Sequence, residues 1–288
     1  MVRLPNPSNI ESLEGHHRSA ALRRLVQQGR PVSDDVIPTL MRIFRTEQRG
    51  VNRLSALQVL MFAWPDERVM DAFRMALASR SFLVSEAVSL LSKDGSEVAF
   101  ELLSEAFLES DDPALRIAVL KVFHNAPHMS VLSLLRSSDV LRTTNDEVRA
   151  TAVVMVGRIA NPTVVRVLIP FLSDTNDRVR ANTVEALGRV LSPQAMARVL
   201  SPCLKDRNNR VRGNTILALS LKGFGCVCRE LRRMATHANV LFRATAAWVL
   251  GRIPDFSGRV DLLQSLRDDR DSMVCRQAAK SLELVGAY

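Results

Sequence analysis

The sequence predicts an all-α chain, a solenoid of stacked helical hairpins. Three observations carry that prediction: a period near 32 residues, a 3.6-residue apolar rhythm within each period, and a core made of small aliphatic side chains. The segments DTNDRVRANTVEALGRV from Asp174 and DRNNRVRGNTILALSLK from Asp206 share an Asp, a Val-Arg pair, a Thr three residues after the Arg and a Leu seven after it. Taking that Arg as an anchor, the same frame fits Arg18, Arg53, Val84, Arg116, Arg149, Arg180, Arg212, Arg243 and Cys275. After a first step of 35 residues, the anchors follow at 31, 32, 33, 31, 32, 31 and 32. A repeat of this length is one helix–turn–helix unit, which buries its apolar face only by stacking on its neighbours.

Around each anchor the apolar positions fall at −1, +3, +4 and +7, which is one buried face of a helix, here called B. Between anchors lies a second apolar helix, A. Examples are Val36 to Phe44, Val69 to Leu77, Val98 to Phe107, Val164 to Leu172, Ala195 to Leu204, Val227 to Met234 and Val260 to Leu266. The A–B turns SDTND, KDRNN and RDDRD supply Asp and Asn for helix N-caps. Pro170 and Pro202 occupy the same place in two A helices and should bend them, because proline cannot donate a backbone hydrogen bond. The count is eight A/B pairs behind one lone B-type helix at about residues 16–29, which acts as a cap. Residues 1–10 are expected to be a flexible tail and 11–288 a single repeat array, most regular from 145 to 288. Hydrophobic residues make up 47% of the chain and aromatic ones only 5%, which suits closely packed helices.

The motif NDRVRANTVEALGRV resembles the HEAT-repeat family, and within it the short bacterial type often called phycobilisome-lyase-like. The resemblance is strongest from about residue 145 to the end. It implies a right-handed superhelix with the B helices lining a concave face. It also implies that the Asp six residues before each anchor pairs with the Arg, so Asp174 with Arg180 and Asp206 with Arg212, with Glu47 at the matching place for Arg53. On that reading Arg149, Arg180, Arg212 and Arg243 form a structural ladder rather than a row of phosphate ligands. The pattern departs at His237 before Arg243, and at Asp269, whose partner position is Cys275; there Arg276 is a candidate substitute.

Charge points to the second half. Residues 1–144 hold 17 basic and 17 acidic side chains, whereas residues 145–288 hold 22 basic and 13 acidic, the whole of the net +9. An anionic partner or a solubility surface are both compatible with that asymmetry. By helical phase the B-helix positions facing away from the core are +2, +5 and +9. Position +9 reads Lys93, Asn125, Arg158, Arg189, Leu221, Arg252 and Leu284; position +2 in the basic half reads Thr151, Asn182, Asn214, Thr245 and Gln277; position +5 includes Glu185, Trp248 and Lys280. Arg158, Arg189, Arg252, Trp248, Asn182, Asn214 and Thr245 are therefore the candidate partner-binding residues. Trp64, before Pro65, is expected in core or turn packing.

Catalysis finds little in the sequence. His16, His17, His124, His128 and His237 belong to no metal or nucleophile motif, and no glycine-rich phosphate loop is present. Cys203, Cys226, Cys228 and Cys275 form no C-x-x-C pair and read as free thiols of a reducing cytoplasm. No metal or cofactor is expected. The N-terminus lacks an apolar signal core, and no apolar run is long enough to span a bilayer. The leading reading is a cytoplasmic, non-catalytic adaptor that binds a protein on the B-helix face of the C-terminal repeats. Nucleic-acid binding through the same arginines is the alternative. Enzymes resembling bilin lyases or alkylpurine DNA glycosylases come third, since the predicted face offers one Trp and no clear catalytic Asp.

Overall fold

The computed structural model describes residues 10, 12–13, 15–125, 129–137, 139–159, 161–253 and 258–286. Among the described residues there are seventeen α-helices and no strand, so the expected lone helix followed by eight pairs is what the backbone forms. Contacts group the chain into two compact units, Met1–Asn125 and Ala126–Tyr288. The expected tail lies outside the described residues apart from Ile10, which is buried.

The first unit holds α1 (Gly15–Gln28), α2 (Ile37–Thr46), α3 (Gly50–Leu60), α4 (Glu67–Ala78), α5 (Leu83–Asp94), α6 (Glu97–Glu109) and α7 (Pro113–Asn125). Its core is a row of large side chains, among them Leu22, Leu40, Phe44, Leu57, Phe73, Leu91, Phe107 and Phe123, all with almost no exposure. Asp66 and Ser96 cap α4 and α6 by accepting the Arg68 and Ala99 amides. Trp64 packs edge-on against Phe73 with 5.4 Å between ring centroids, as expected of turn packing.

The second unit holds α8 (Met129–Ser137), α9 (Asp146–Arg158), α10 (Val164–Leu168), α11 (Asp177–Val190), α12 (Pro193–Leu200), α13 (Asn209–Ser220), α14 (Cys228–Ala235), α15 (Val240–Leu250), α16 (Arg259–Arg267) and α17 (Ser272–Leu284). The B helices α9, α11, α13, α15 and α17 begin at Asn145, Asn176, Asn208, Asn239 and Asp271, whose side chains accept first-turn amides. The two prolines act as expected. The A helices α10 and α12 end shortly before Pro170 and Pro202 and continue as 3-10 turns over Ile169–Ser173 and Ser201–Lys205. With no N–H at proline, the α-helical ladder cannot continue through that position.

Adjacent B helices touch through small residues. A methyl group built at Gly157 would stand 3.0 Å from the Ala186 Cα, and one at Gly251 would stand 2.8 Å from the Ser281 Cβ. Close approach at these points sets how tightly α9 packs on α11 and α15 on α17. Gly157→Ala should therefore push backbone against backbone and cost roughly 1–3 kcal/mol. Gly188→Ala should cost less, because only the Ala218 methyl lies near it, at 3.0 Å. Denaturant melts of the two variants check the order.

Candidate partner-binding face

The anchor arginines fix the turns, but by a pairing one repeat out of step with the expectation. Arg180 does not pair with the Asp174 carboxylate, nor Arg212 with that of Asp206. Arg180 donates through Nε and Nη2 to Asp206 of the next turn, at 2.8 and 2.9 Å. Arg149 reaches Asp174 the same way, at 3.0 Å twice, and Arg243 reaches Asp269 at 2.7 and 2.9 Å. The remaining nitrogen, Nη1, donates to a main-chain carbonyl six residues back: Thr143 O at 2.7 Å, Asp174 O at 2.9 Å and His237 O at 2.9 Å. The reason lies in each Asp. Its Oδ1 also accepts the amide two residues on, 2.8 Å from Asn176, 2.8 Å from Asn208 and 2.9 Å from Asp271. That local turn aims the carboxylate at the preceding repeat and leaves only the carbonyl for its own Arg. Glu47 follows the shifted rule: it pairs with Arg18 at 2.7 Å, and Arg53 donates instead to Phe44 O at 2.9 Å.

The ladder breaks after Arg212. His237 stands where an Asp would accept, so Arg212 bonds Asp206 O at 2.5 Å and Glu230 at 3.2 Å, and lies 5.0 Å from the Phe242 ring centroid. His237 stacks on the same Phe242 ring, 4.2 Å away. The other suspected weak point is closed differently. Cys275 Sγ donates to Asp269 O at 2.8 Å, while Arg276 is exposed and reaches only Ser272, so it does not substitute.

Beyond the ladder, the outward B-helix stripe is as the phase demands. Arg158, Arg189, Leu221, Arg252 and Leu284 at position +9 are all exposed. Arg189 pairs with Glu185 one turn back at 2.5 Å, and Arg252 lies over the Trp248 ring, 4.5 Å from its centroid. The position +2 amides are half-buried and already engaged. Asn182 and Asn214 donate to Ala150 O and Ala181 O of the preceding B helix, both at 3.1 Å, and Thr245 accepts from Asn209 at 2.6 Å. These three tie neighbouring helices together. Sequence phase missed position −2, one turn before +2 on the same stripe: Glu147, Arg178, Arg210, Leu241 and Met273, every one exposed. Extending the stripe back by four residues would have found them. Between α15 and α17 the stripe opens into a groove of about 410 Å³, walled by Leu241, Trp248, Met273, Arg276 and Lys280.

The family model for HEAT repeats matches residues 137–220 and 197–283, together just over half of the chain. The chain belongs to the HEAT-repeat family. Solved structures agree on the fold. Kap121p superposes with a TM-score of 0.69 at 12% identity, covering 98% of this chain and 37% of that one. Kap95p gives 0.63 at 11%, covering 96% and 43%, and the Escherichia coli YibA protein 0.52 at 16%, covering 94% and 98%. This HEAT chain thus spans well under half the length of either of those two Kap proteins. No curated protein sequence matches it. Among the described residues of this HEAT chain, no group of three or more His, Cys, Asp or Glu side chains is placed to hold a metal ion, and no helix is long and apolar enough to cross a membrane. His128 lies outside the described residues. Cys203 is a buried free thiol, and burial pushes its pKa up to about 11.

The HEAT ladder predicts its own pH dependence. Hydrogen bonds from Arg243 hold the Asp269 carboxyl below the ordinary range. Burial acts to raise Asp206, but the bonds from Arg180 and the Asn208 amide outweigh it and leave it lowered. Both groups bind fewer protons folded than unfolded, so their contribution is complete above the ordinary carboxylate range and declines below about pH 4. Arg180→Ala leaves Asp206 without its cation and should cost about 3 kcal/mol near pH 7, as for a broken buried pair. Arg212→Ala, with one longer and more exposed carboxylate bond, should cost about 1 kcal/mol. Thermal melts from pH 7 to 3 check both costs, and Arg180→Ala should flatten the acid limb.

Proposed function

We propose that this protein is a non-catalytic, cytoplasmic scaffold that binds a protein partner on the exposed B-helix face of its C-terminal repeats. One observation carries the reading. From α9 to α17 positions −2, +5 and +9 present Arg158, Arg178, Arg189, Arg210, Arg252 and Lys280 against Glu147 and Glu185. In the first unit the same positions carry Arg23, Lys93 and Lys121 and no acid, and the −2 positions include the apolar Val51 and Phe82, 59% and 54% exposed. What the second unit adds is the pair of −2 arginines, Arg178 and Arg210, in line with those at +9. Its side chains are held by ladder-fixed helices, and a pre-ordered surface loses little entropy on binding. The solved structure of Kap95p with RanGDP is of a HEAT-like array binding a protein, which supports this class of function.

Nucleic acid is the second reading, favoured by Arg178 and Arg210 lying in line with the +9 arginines. Phosphate contacts release counterions, so such binding would fall steeply with salt. The exposed Leu221, Leu241, Met273 and Leu284, 44–58% accessible, interrupt the stripe with apolar contact area and favour a protein.

The test is the triple variant Arg158→Glu, Arg189→Glu, Arg252→Glu. It should fold with an unchanged melting temperature and lose the partner retained by the wild-type chain in nuclease-treated affinity purification. Trp248→Ala should weaken the same binding by roughly 1–3 kcal/mol. A folded triple variant that keeps its partner would move the site elsewhere. Binding that disappears on nuclease treatment would favour nucleic acid.

A further inference from the structure

We infer that the groove between α15 and α17 anchors an extended acidic peptide segment carrying an apolar side chain. This deepens the scaffold reading and rests on it. The groove is built from one register on both helices. Positions −2, +1, +2 and +5 are Leu241, Ala244, Thr245 and Trp248 on α15, and Met273, Arg276, Gln277 and Lys280 on α17, with Asn209 of α13 at one edge. Elsewhere in the second unit the +1 residue is a buried Ala or Gly: Ala150, Ala181 and Gly213. In this last pair it is the half-buried Ala244 and the exposed Arg276.

The lining chooses the occupant. Leu241 and Met273 are 46% and 44% exposed. Together with the Trp248 indole they offer an apolar seat of the size that takes one or two side chains, about 410 Å³. No carboxylate lines it, and Arg276 and Lys280 stand on its α17 wall. The amide donors are engaged internally, Asn209 with Thr245 and Leu241 O and Gln277 with Ser281. Arg276 and Lys280 are the charged groups that an anion meets there. Four residues apart on a helix, they are separated by about 6 Å along its axis. Alternate side chains of an extended chain recur at about 6.6–6.8 Å on one side. The match is to acidic residues at i and i+2, with an apolar residue at i+4 on the same side to cover Trp248 or Met273. Arg252, over the Trp248 ring, holds the indole from outside the groove.

The probe is a fluorescein-labelled peptide, Gly-Ser-Glu-Ser-Glu-Ser-Phe-Ser-Gly, titrated with the full chain and followed by fluorescence anisotropy at 150 mM salt. Companion probes carry Lys for both Glu, or Ala for the Phe, and a fifteen-nucleotide oligothymidine tests phosphate. The acidic Phe peptide should bind about tenfold or more tightly than either altered peptide. Lys280→Glu, an exposed change with no fold to lose, should reduce that binding at least tenfold, as should Trp248→Ala. Arg166→Glu, exposed on α10, should leave it unchanged. Equal binding of the Lys peptide, tighter binding of oligothymidine, or insensitivity to Lys280→Glu would overturn the inference. If the peptide fails while the Arg158/Arg189/Arg252 triple variant loses its cellular partner, the groove assignment falls and the broader scaffold reading stands. If the peptide binds as expected and the triple variant keeps its partner, the groove stands and the broader stripe does not.

Discussion

The second unit depends on one recurring interaction: an arginine on a B helix that holds two consecutive turns at once. Its forked edge meets the aspartate of the next turn, 25 or 26 residues on, while its third nitrogen holds the carbonyl of its own turn. A planar guanidinium can do this because its donors point in fixed, separate directions; an ammonium has no such fork. The pairs are largely removed from water, with side-chain exposures of 7–13%. At that burial the attraction between the charges is largely offset by their desolvation. What the pair contributes is registry, since a helix displaced along its axis would leave both a carbonyl and a carboxylate unsatisfied.

Everything outward-facing follows from that registry. With B helices locked at a constant offset, equivalent positions line up from repeat to repeat, and chemistry repeated in sequence becomes a stripe in space. The amides of Asn182 and Asn214 strengthen the alignment by bonding the carbonyl of the neighbouring helix, and Gly157 and Gly188 let those helices approach closely enough for them to do so. The stripe that emerges is cationic with apolar interruptions: its −2 and +9 positions are exposed, while at +5 Val154, Leu217 and Trp248 are half-buried and Glu185 and Lys280 exposed.

Much of this was legible in the sequence, for physical reasons. The period, the seventeen helices and the effect of Pro170 and Pro202 depend on local apolar rhythm and on the chemistry of single residues, both present in a linear string. The outward orientation of Arg158, Arg189 and Arg252 is a matter of helical phase, which is also local. The partner of each ladder arginine was not legible. Asp174 and Asp206 lie equally well placed in sequence for the repeat before or after, and the choice is made by an amide bond within the turn that rotates the carboxylate. The engagement of Asn182, Asn214 and Thr245 was hidden for a related reason. Whether a polar side chain faces solvent or a neighbouring carbonyl depends on the spacing between helices, and phase says nothing about spacing. The groove escaped notice because the stripe was read forward from the anchor and not back to Leu241 and Met273.

The interruption at His237 has a mechanical meaning. In an array whose repeats touch mainly their neighbours, each interface contributes separately to stiffness. The interface joining α15 to the turn before α17 carries the bidentate Arg243–Asp269 link, so the two walls of the groove are clamped to each other. The preceding interface, from α13 to the turn before α15, lacks that link, and its arginine is turned aside to Glu230 and the Phe242 ring. The groove's walls are thus joined by an ion pair, whereas the preceding interface is held by the neutral bonds of Asn209 to Thr245 and Leu241 O.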